Sequence, residues 1–289
     1  METMRQHLEE ANMQDPISAP PARFERMGVA LFNVGRVLFS LAIMGLGIET
    51  LLCARAATHS LGPGYEVIPV LPWLPAIPWV AYLFGVVWIV CGAGLLSRRT
   101  LRRAAMALSG LLFLCAFVLD VPKNAANIGS ISLRTTAFEP LALACLAWLL
   151  ASRPTPDLFV RGSRFVLGLS LVVFGVDHFL ALGFIAALIP NWILWHVFWV
   201  AFFGVLFIVG GVSIGLNLMH RWGAAATGLM FGIWVVTLHL PRVLGLYGIP
   251  GAPHNPNEWS SLLIAIGLWG GLWAIADSSV SSQPRVGSS

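Results

Sequence analysis

Charge is what this chain has least of. Only 10% of its 289 residues are Asp, Glu, Lys or Arg, against roughly 25% in an ordinary soluble domain, while 57% are hydrophobic and mean hydropathy is +0.81. That scarcity excludes a soluble globular domain. Cysteine is sparse too: Cys53, Cys91, Cys115 and Cys145 form no C-x-x-C pair and no metal-ligand spacing, which argues against thiol redox chemistry. No flavin fingerprint and no c-type haem motif occurs, so a redox role would need a partner subunit or a histidine-ligated haem. The first 25 residues carry acids, amides and prolines without the apolar core of a cleavable signal, which leaves the first helix to direct insertion. The formal net charge of +4 would suit an acidic partner, but the placement of the arginines says more than their sum, and nucleic-acid binding is not expected.

What the chain does have is long apolar runs. A hydrocarbon core of ~30 Å needs about 20 apolar residues per helix. Eight runs qualify, near 28 to 53, 76 to 97, 104 to 121, 137 to 152, 165 to 187, 193 to 216, 222 to 240 and 259 to 277, the fourth being short. The expected fold class is an all-α polytopic membrane protein of eight transmembrane helices. Basic residues near span ends stay on the cytoplasmic side. Thirteen of the seventeen, including Arg23, Arg26, Arg36, "SRRTLRR" and Arg153, Arg161, Arg164 and Arg221, fall on one side, and Arg55, Lys123, Arg134 and Arg242 on the other. Both termini are therefore expected in the cytoplasm, with the chain in the cell (inner) membrane.

The two halves can be laid over each other. "GRVLFSLAIMGLGIE" (35 to 49) matches "SRFVLGLSLVVFGVD" (163 to 177) at an offset of 128. Beyond span one the offset is 119: "FGVVWIVCGAGLL" (84 to 96) matches "FGVLFIVGGVSIG" (203 to 215), and "LDVPK" (119 to 123) matches "LHLPR" (238 to 242). Four spans per copy is an even number, so both copies insert with one orientation and are expected to be related by a pseudo-twofold axis along the membrane normal. The expected organisation is a polar cytoplasmic segment 1–27, a four-helix unit 28–152, a cytoplasmic linker 153–164, a second unit 165–277 and a disordered tail 278–289. Gly-rich stretches such as "CGAGLL" and "GGVSIG" suit close helix contact.

Intramembrane ionisable residues are costly and usually face a bundle interior or a hydrated cavity. Asp177 lies thirteen residues beyond Arg164, about 20 Å deeper at the helical rise, and Glu49 stands equally far from Arg36. Asp120 and His239 end spans three and seven, where Pro122 and Pro241 are expected to stop the helical ladder. Glu139 and Glu258 open spans four and eight, where acids also suit a helix N-terminus. With His178 and His254 these groups gather at one level, in the outer leaflet. Repeat one is acidic there and repeat two histidine-rich. The expected acid–base set is Glu49, Asp120, Asp177, His178 and His239, and the expected ligand-binding set is Glu139, Arg242, His254 and Glu258. The loop "GIPGAPHNPNEW" (248 to 259) reads first as a rigid connector and otherwise as a lid over this level. Arg36 and Arg164 read as snorkelling anchors, and His196 among Trp192, Trp195 and Trp199 as part of an aromatic belt.

A helix carrying Arg-x-x-x-Gly (Arg164 to Gly168), a Gly-x-acid near its far end (Gly47 to Glu49, Gly175 to Asp177), a second span with an aromatic and Gly-Gly pattern, and a third ending in "HLPR" resembles the DoxX-like family of four-helix membrane proteins. Here the unit occurs twice, over about residues 30 to 150 and 160 to 277. The resemblance implies a four-helix unit. In some relatives it implies a membrane subunit of a quinone-linked or redox-stress complex, and in others a cargo receptor or assembly factor. This chain lacks the cysteine pairs of the redox relatives.

Three function classes stay open. The first binds a lipophilic small molecule, quinone-like or isoprenoid-like, with its head group at the carboxylate and histidine level, which donates and accepts protons. The second is a metal or haem site drawing on His178, His239 and His254, without local ligand spacing. The third is a small transporter or a membrane-complex assembly subunit. Partners are then a lipid or lipophilic molecule, the membrane, a redox subunit and a second copy of the chain.

Overall fold

The computed structural model describes residues 23–57, 78–120, 125, 127, 129–152, 157–248 and 254–276. The segment 1–22, the tail 277–289, the Pro122 and Lys123 positions and residues 249–253 of the loop before span eight lie outside them. Every described element is a helix. In chain order they are α1 (Arg23–Ala57), α2 (Pro78–Leu96), α3 (Leu101–Cys115), α4 (Ile131–Ala151), α5 (Leu158–Leu180), α6 (Leu182–Leu188), α7 (His196–Gly215), α8 (His220–Trp234), α9 (Leu240–Val243) and α10 (Pro256–Ala276). A π-helical turn prolongs α3 over Ala116–Asp120, and another joins α8 to α9 over Val235–His239.

Among the described residues, seven stretches are long and apolar enough to cross a membrane: Met27–Leu52, Leu101–Val118, Ile131–Ala151, Leu158–Leu180, His196–Gly215, His220–Val243 and Asn257–Ala276. Ala81–Leu96 is a shorter apolar helix. Side-chain placement agrees with a polytopic membrane protein. Large apolar residues face outward, Leu41, Ile48 and Leu52 on α1 and Val205 and Val209 on α7 among them, while Ser40, Thr50, Ser109 and Ser170 are buried. Those hydroxyls are satisfied by carbonyls. Ser40 donates to Arg36 (2.7 Å), Thr50 to Leu46 (2.7 Å) and Ser170 to Val166 (2.9 Å) within their helices, and Ser109 donates to Ala144 of α4 (2.9 Å).

With lipid outside, helices hold together by close packing and hydrogen bonds. Helix α1 packs on α2 and α10, α5 on α7 and α4, α8 on α7 and α10, α3 on α2 and α4, and α10 also meets α4. Glycines set the closest contacts. A Cβ on Gly47 would fall 2.6 Å from the Gly85 carbonyl oxygen, and one on Gly175 would fall 2.6 Å from that of Gly204.

Several expected boundaries move, and each for a local reason. Helix α4 begins at 131, six residues before the apolar run, because the Ser130 side chain caps it by accepting from the Leu133 N–H at 3.3 Å. Glu139 thus sits in the body of α4 beside Pro140 and does not open it. Helix α5 begins at Leu158, inside the expected linker, capped by Asp157 accepting from the Val160 N–H at 2.7 Å, and breaks at Ala181 before α6. Pro241 does not end the seventh span. It falls just past the π turn in a helix that continues into α9, and the Thr237 carbonyl four residues back accepts from the Tyr247 hydroxyl (2.5 Å) in place of the missing N–H. Arg36 is no snorkelling anchor: it is 9% exposed and its guanidinium donates to the carbonyls of Leu95 (3.2 Å) and Leu96 (2.8 Å), closing the C-terminus of α2. Arg164 donates to the Asn217 side chain at 2.8 Å, beyond the end of α7.

Candidate functional site

Asp177 is 4% exposed, on the face of α5 that meets α4. The early start of α4 supplies its partners. Arg134 approaches Oδ1 with Nε at 2.9 Å and with Nη2, and the Thr135 hydroxyl donates to Oδ2 at 3.0 Å. Both carboxylate oxygens are therefore engaged. An acid isolated in an apolar run turns out to be half of a charge-assisted clasp between two spans.

Glu49, 128 residues earlier and aligned with it in sequence, is differently served. Glu49 is 8% exposed, and Ser260 of α10 donates to its Oε1 at 2.8 Å. Oε2 is buried with no hydrogen-bond partner among the described residues. A buried acceptor in that condition is worth 1–3 kcal/mol to whatever donor reaches it, on the order of the desolvation penalty of the group. In the sequence alignment of the two halves, the position matching Arg134 is Pro253, which carries no charge.

A third polar seam lies between α9 and α10. Arg242 forms a two-pronged ion pair with Glu258, Nε to Oε2 at 2.8 Å and Nη2 to Oε1. His239, the last residue of the π turn, is near enough to feel both charges, and its Nδ1 is buried without a partner among the described residues. Tyr247 donates to the Thr237 carbonyl at 2.5 Å, tying the chain after α9 back to that turn.

The remaining candidates are placed as follows. His178 is half-buried, with Nδ1 2.7 Å from the Phe174 carbonyl and its ring 5.0 Å from that of Phe207. A carbonyl only accepts, so Nδ1 carries the proton and Nε2 is left as the acceptor of the neutral ring. His254 is exposed in the turn before α10, and Glu139 is half-buried on α4. The Asp120 side chain lies outside the described residues, at the end of the first π turn.

The structure thus brings Arg242 together with Glu258, and sets His239 beside them. Asp177 and Glu49 occupy two other seams. Among the described residues no three of His, Cys, Asp and Glu come close enough to hold a metal ion, so His178, His239 and His254 do not form a ligand set: they belong to α5, the π turn and an exposed turn. The sequence reading missed Thr135 and Ser260 as partners and assigned Arg134 only to the far side of the membrane. The signal for Arg134 was Ser130, a capping residue that starts α4 early enough to carry the arginine into the helix. A cavity of about 490 Å³ lies between α3, α4 and the first turns of α5, and none of the candidate residues lines it. No family model, no curated protein and no solved structure matches this chain.

Proposed function

We propose that this chain is an eight-span membrane protein, built as two four-helix repeats, that binds a lipophilic small molecule of quinone or isoprenoid type and exchanges protons with its head group through Glu49. The observation that carries this reading is the second oxygen of Glu49, buried inside the bundle and without a donor. A head-group hydroxyl would supply that donor, and a carboxyl held there is a proton acceptor or donor in hydrogen-bond reach of the bound group. His239, with its buried and unpartnered Nδ1, is the second group of the same kind.

Repeat symmetry is supported by features that recur at the offsets of the alignment. The π turns Ala116–Asp120 and Val235–His239 are 119 residues apart, and the Gly47–Gly85 contact recurs as Gly175–Gly204. Membership in the DoxX-like family, the inner membrane and cytoplasmic termini belong to the same proposal, resting on the quoted motifs and on the distribution of basic residues.

The test is mass spectrometry of lipophilic molecules that co-purify with the full chain in native-membrane particles. Wild-type protein is expected to enrich one such molecule over bulk lipid, and Glu49→Gln to lower its occupancy about tenfold or more, the worth of a hydrogen bond to a charged group. Thermal stability of the variant should match wild type, since the amide still accepts from Ser260. No enriched molecule, or equal occupancy in both proteins, overturns the reading.

One observation favours a carrier instead. Helix α5 breaks at Ala181 and α8 is interrupted by its π turn, and discontinuous helices line the sites of many transporters. Saturable uptake of a solute into vesicles containing the chain, abolished by Glu49→Gln, would select that alternative.

A further inference from the structure

Arg164 falls on Arg36 when the two halves of the sequence are aligned, and the two arginines do different work. Arg36 closes α2 by donating to the Leu95 and Leu96 carbonyls, and its Nε is sealed inside without a partner. Helix α7 closes itself. Asn217, just past the helix, takes the left-handed conformation (φ 59°), its N–H donating to the Ile214 carbonyl at 3.2 Å while the Leu218 N–H donates to that of Ser213 at 2.9 Å. Those two bonds are a Schellman turn, which satisfies terminal carbonyls without help from a side chain.

Arg164 is thereby released from capping. One of its nitrogens, Nη1, donates to the Asn217 side chain at 2.8 Å, and its other N–H groups have no acceptor among the described residues and are not sealed from the surface. No carboxylate pairs with the half-buried guanidinium among those residues, and Asp157, the acid that opens α5, lies two turns away capping the Val160 N–H. Further basic groups gather here instead. His220, which begins α8, is near enough to feel the charges of Arg164 and Arg221, and Arg221 is tied through Nε to the Ala276 carbonyl at the end of α10 (3.2 Å).

A cation partly withdrawn from water is stabilised by an anion that also accepts its hydrogen bonds. The surroundings say which anion. Phe165, Leu216, Leu218, Met219 and Trp222, neighbours of these basic residues in the chain, are each more than half exposed. A soluble anion has no use for that apolar rim, whereas a lipid sets its acyl chains against it and its head group on the cation.

We infer that the corner where α5 and α8 begin and α7 and α10 end binds the phosphate of an anionic phospholipid, with the free donors of Arg164 as its principal contact. The inference rests neither on Glu49 nor on which side of the membrane this corner faces.

Native mass spectrometry of the delipidated full chain, titrated in detergent with dioleoyl phosphatidylglycerol or with dioleoyl phosphatidylcholine, tests it. Wild type is expected to bind the first phosphatidylglycerol about tenfold more tightly, the worth of a charge-assisted hydrogen bond. Arg164→Gln should bring the two lipids within about threefold of each other. Arg164→Lys, a milder change that keeps the charge but not the planar fork, should lose at least about threefold of the preference and decides the matter should the glutamine variant not fold. Arg99→Gln removes an equal charge from the exposed turn after α2 and should leave the preference intact. Absence of a preference in wild type overturns the site, as does a preference unchanged in Arg164→Lys. An equal drop in Arg99→Gln overturns it too, by showing attraction to net charge alone. Displacement of the bound lipid by millimolar inorganic phosphate overturns the lipid as occupant in favour of a soluble anion.

Discussion

Asp177 and Glu49 fall on each other when the two halves of the sequence are aligned, yet one faces an arginine and the other a serine, and their substitutions should part company. Breaking a buried ion pair from one side costs about 3–5 kcal/mol because the surviving charge stays buried. The Arg134 side chain keeps 21% of its surface, which lowers the expectation for Asp177→Asn to roughly 2–3 kcal/mol. Glu49→Gln should change stability by less than about 1 kcal/mol, since the Ser260 hydrogen bond survives and no cation is stranded. Thermal melting of the purified chain measures both. The double variant Arg134→Gln with Asp177→Asn should recover at least half of the single loss, and a double variant no better than the single one would show that the clasp is not what Asp177 contributes. That Asp177 faces inward was legible in the sequence, because an ionisable group in an apolar run is costly on a lipid-facing surface. Its partner was not. Arg134 sits in a polar stretch, "SLRTT", that hydropathy assigns to a loop, and only a helix capped at Ser130 brings it to the acid.

At the scale of elements the same limit recurs. Apolar length located the spans, but helix ends depend on single capping side chains, Ser130 and Asp157, and on π turns that leave no periodic trace. Pro241 looked like a stop for this reason: the widened turn ahead of it is invisible in a hydropathy pattern. Glycines were read correctly as packing residues, although which ones pack could not be told from their spacing. The structure separates them. An alanine at Gly47 or Gly175 would thrust its Cβ into a backbone carbonyl 2.6 Å away that cannot step aside without its helix. Each should destabilise by about 1–3 kcal/mol, as overpacking does. Gly162→Ala meets open space and should be neutral or stabilising by up to about 1 kcal/mol, from helix propensity alone. Melting temperatures of the three variants in one detergent decide the matter, and equal behaviour of Gly175→Ala and Gly162→Ala would refute the seam.

For the whole molecule the question is whether α2 crosses the bilayer. Its clearly apolar part, Ala81–Leu96, rises only about 24 Å, short of a ~30 Å core, but the helix from Pro78 to Leu96 rises about 28 Å. Its contacts with α1 run in opposite directions along the C-terminal part of α2 and the middle of α1: Gly85 meets Gly47, Gly92 meets Ser40 and Met44, and the Leu95 and Leu96 carbonyls meet Arg36. An antiparallel partner of this kind is what the proposed eight crossings require of α2. The turn from Ser97 to Thr100 then returns the chain into α3 on the side of the basic cluster. Eight crossings put Ser97 in the cytoplasm and Asn257, at the start of α10, on the opposite side. Seven crossings, with α2 lying flat and the N-terminus still inside, reverse both. In a chain whose four cysteines are replaced, a membrane-impermeant maleimide applied to intact cells should label Asn257→Cys and spare Ser97→Cys, and a reporter fused after Ser289 should be cytoplasmic. Labelling of Ser97→Cys with protection of Asn257→Cys would remove α2 from the membrane, and with it the proposed equivalence of the two halves.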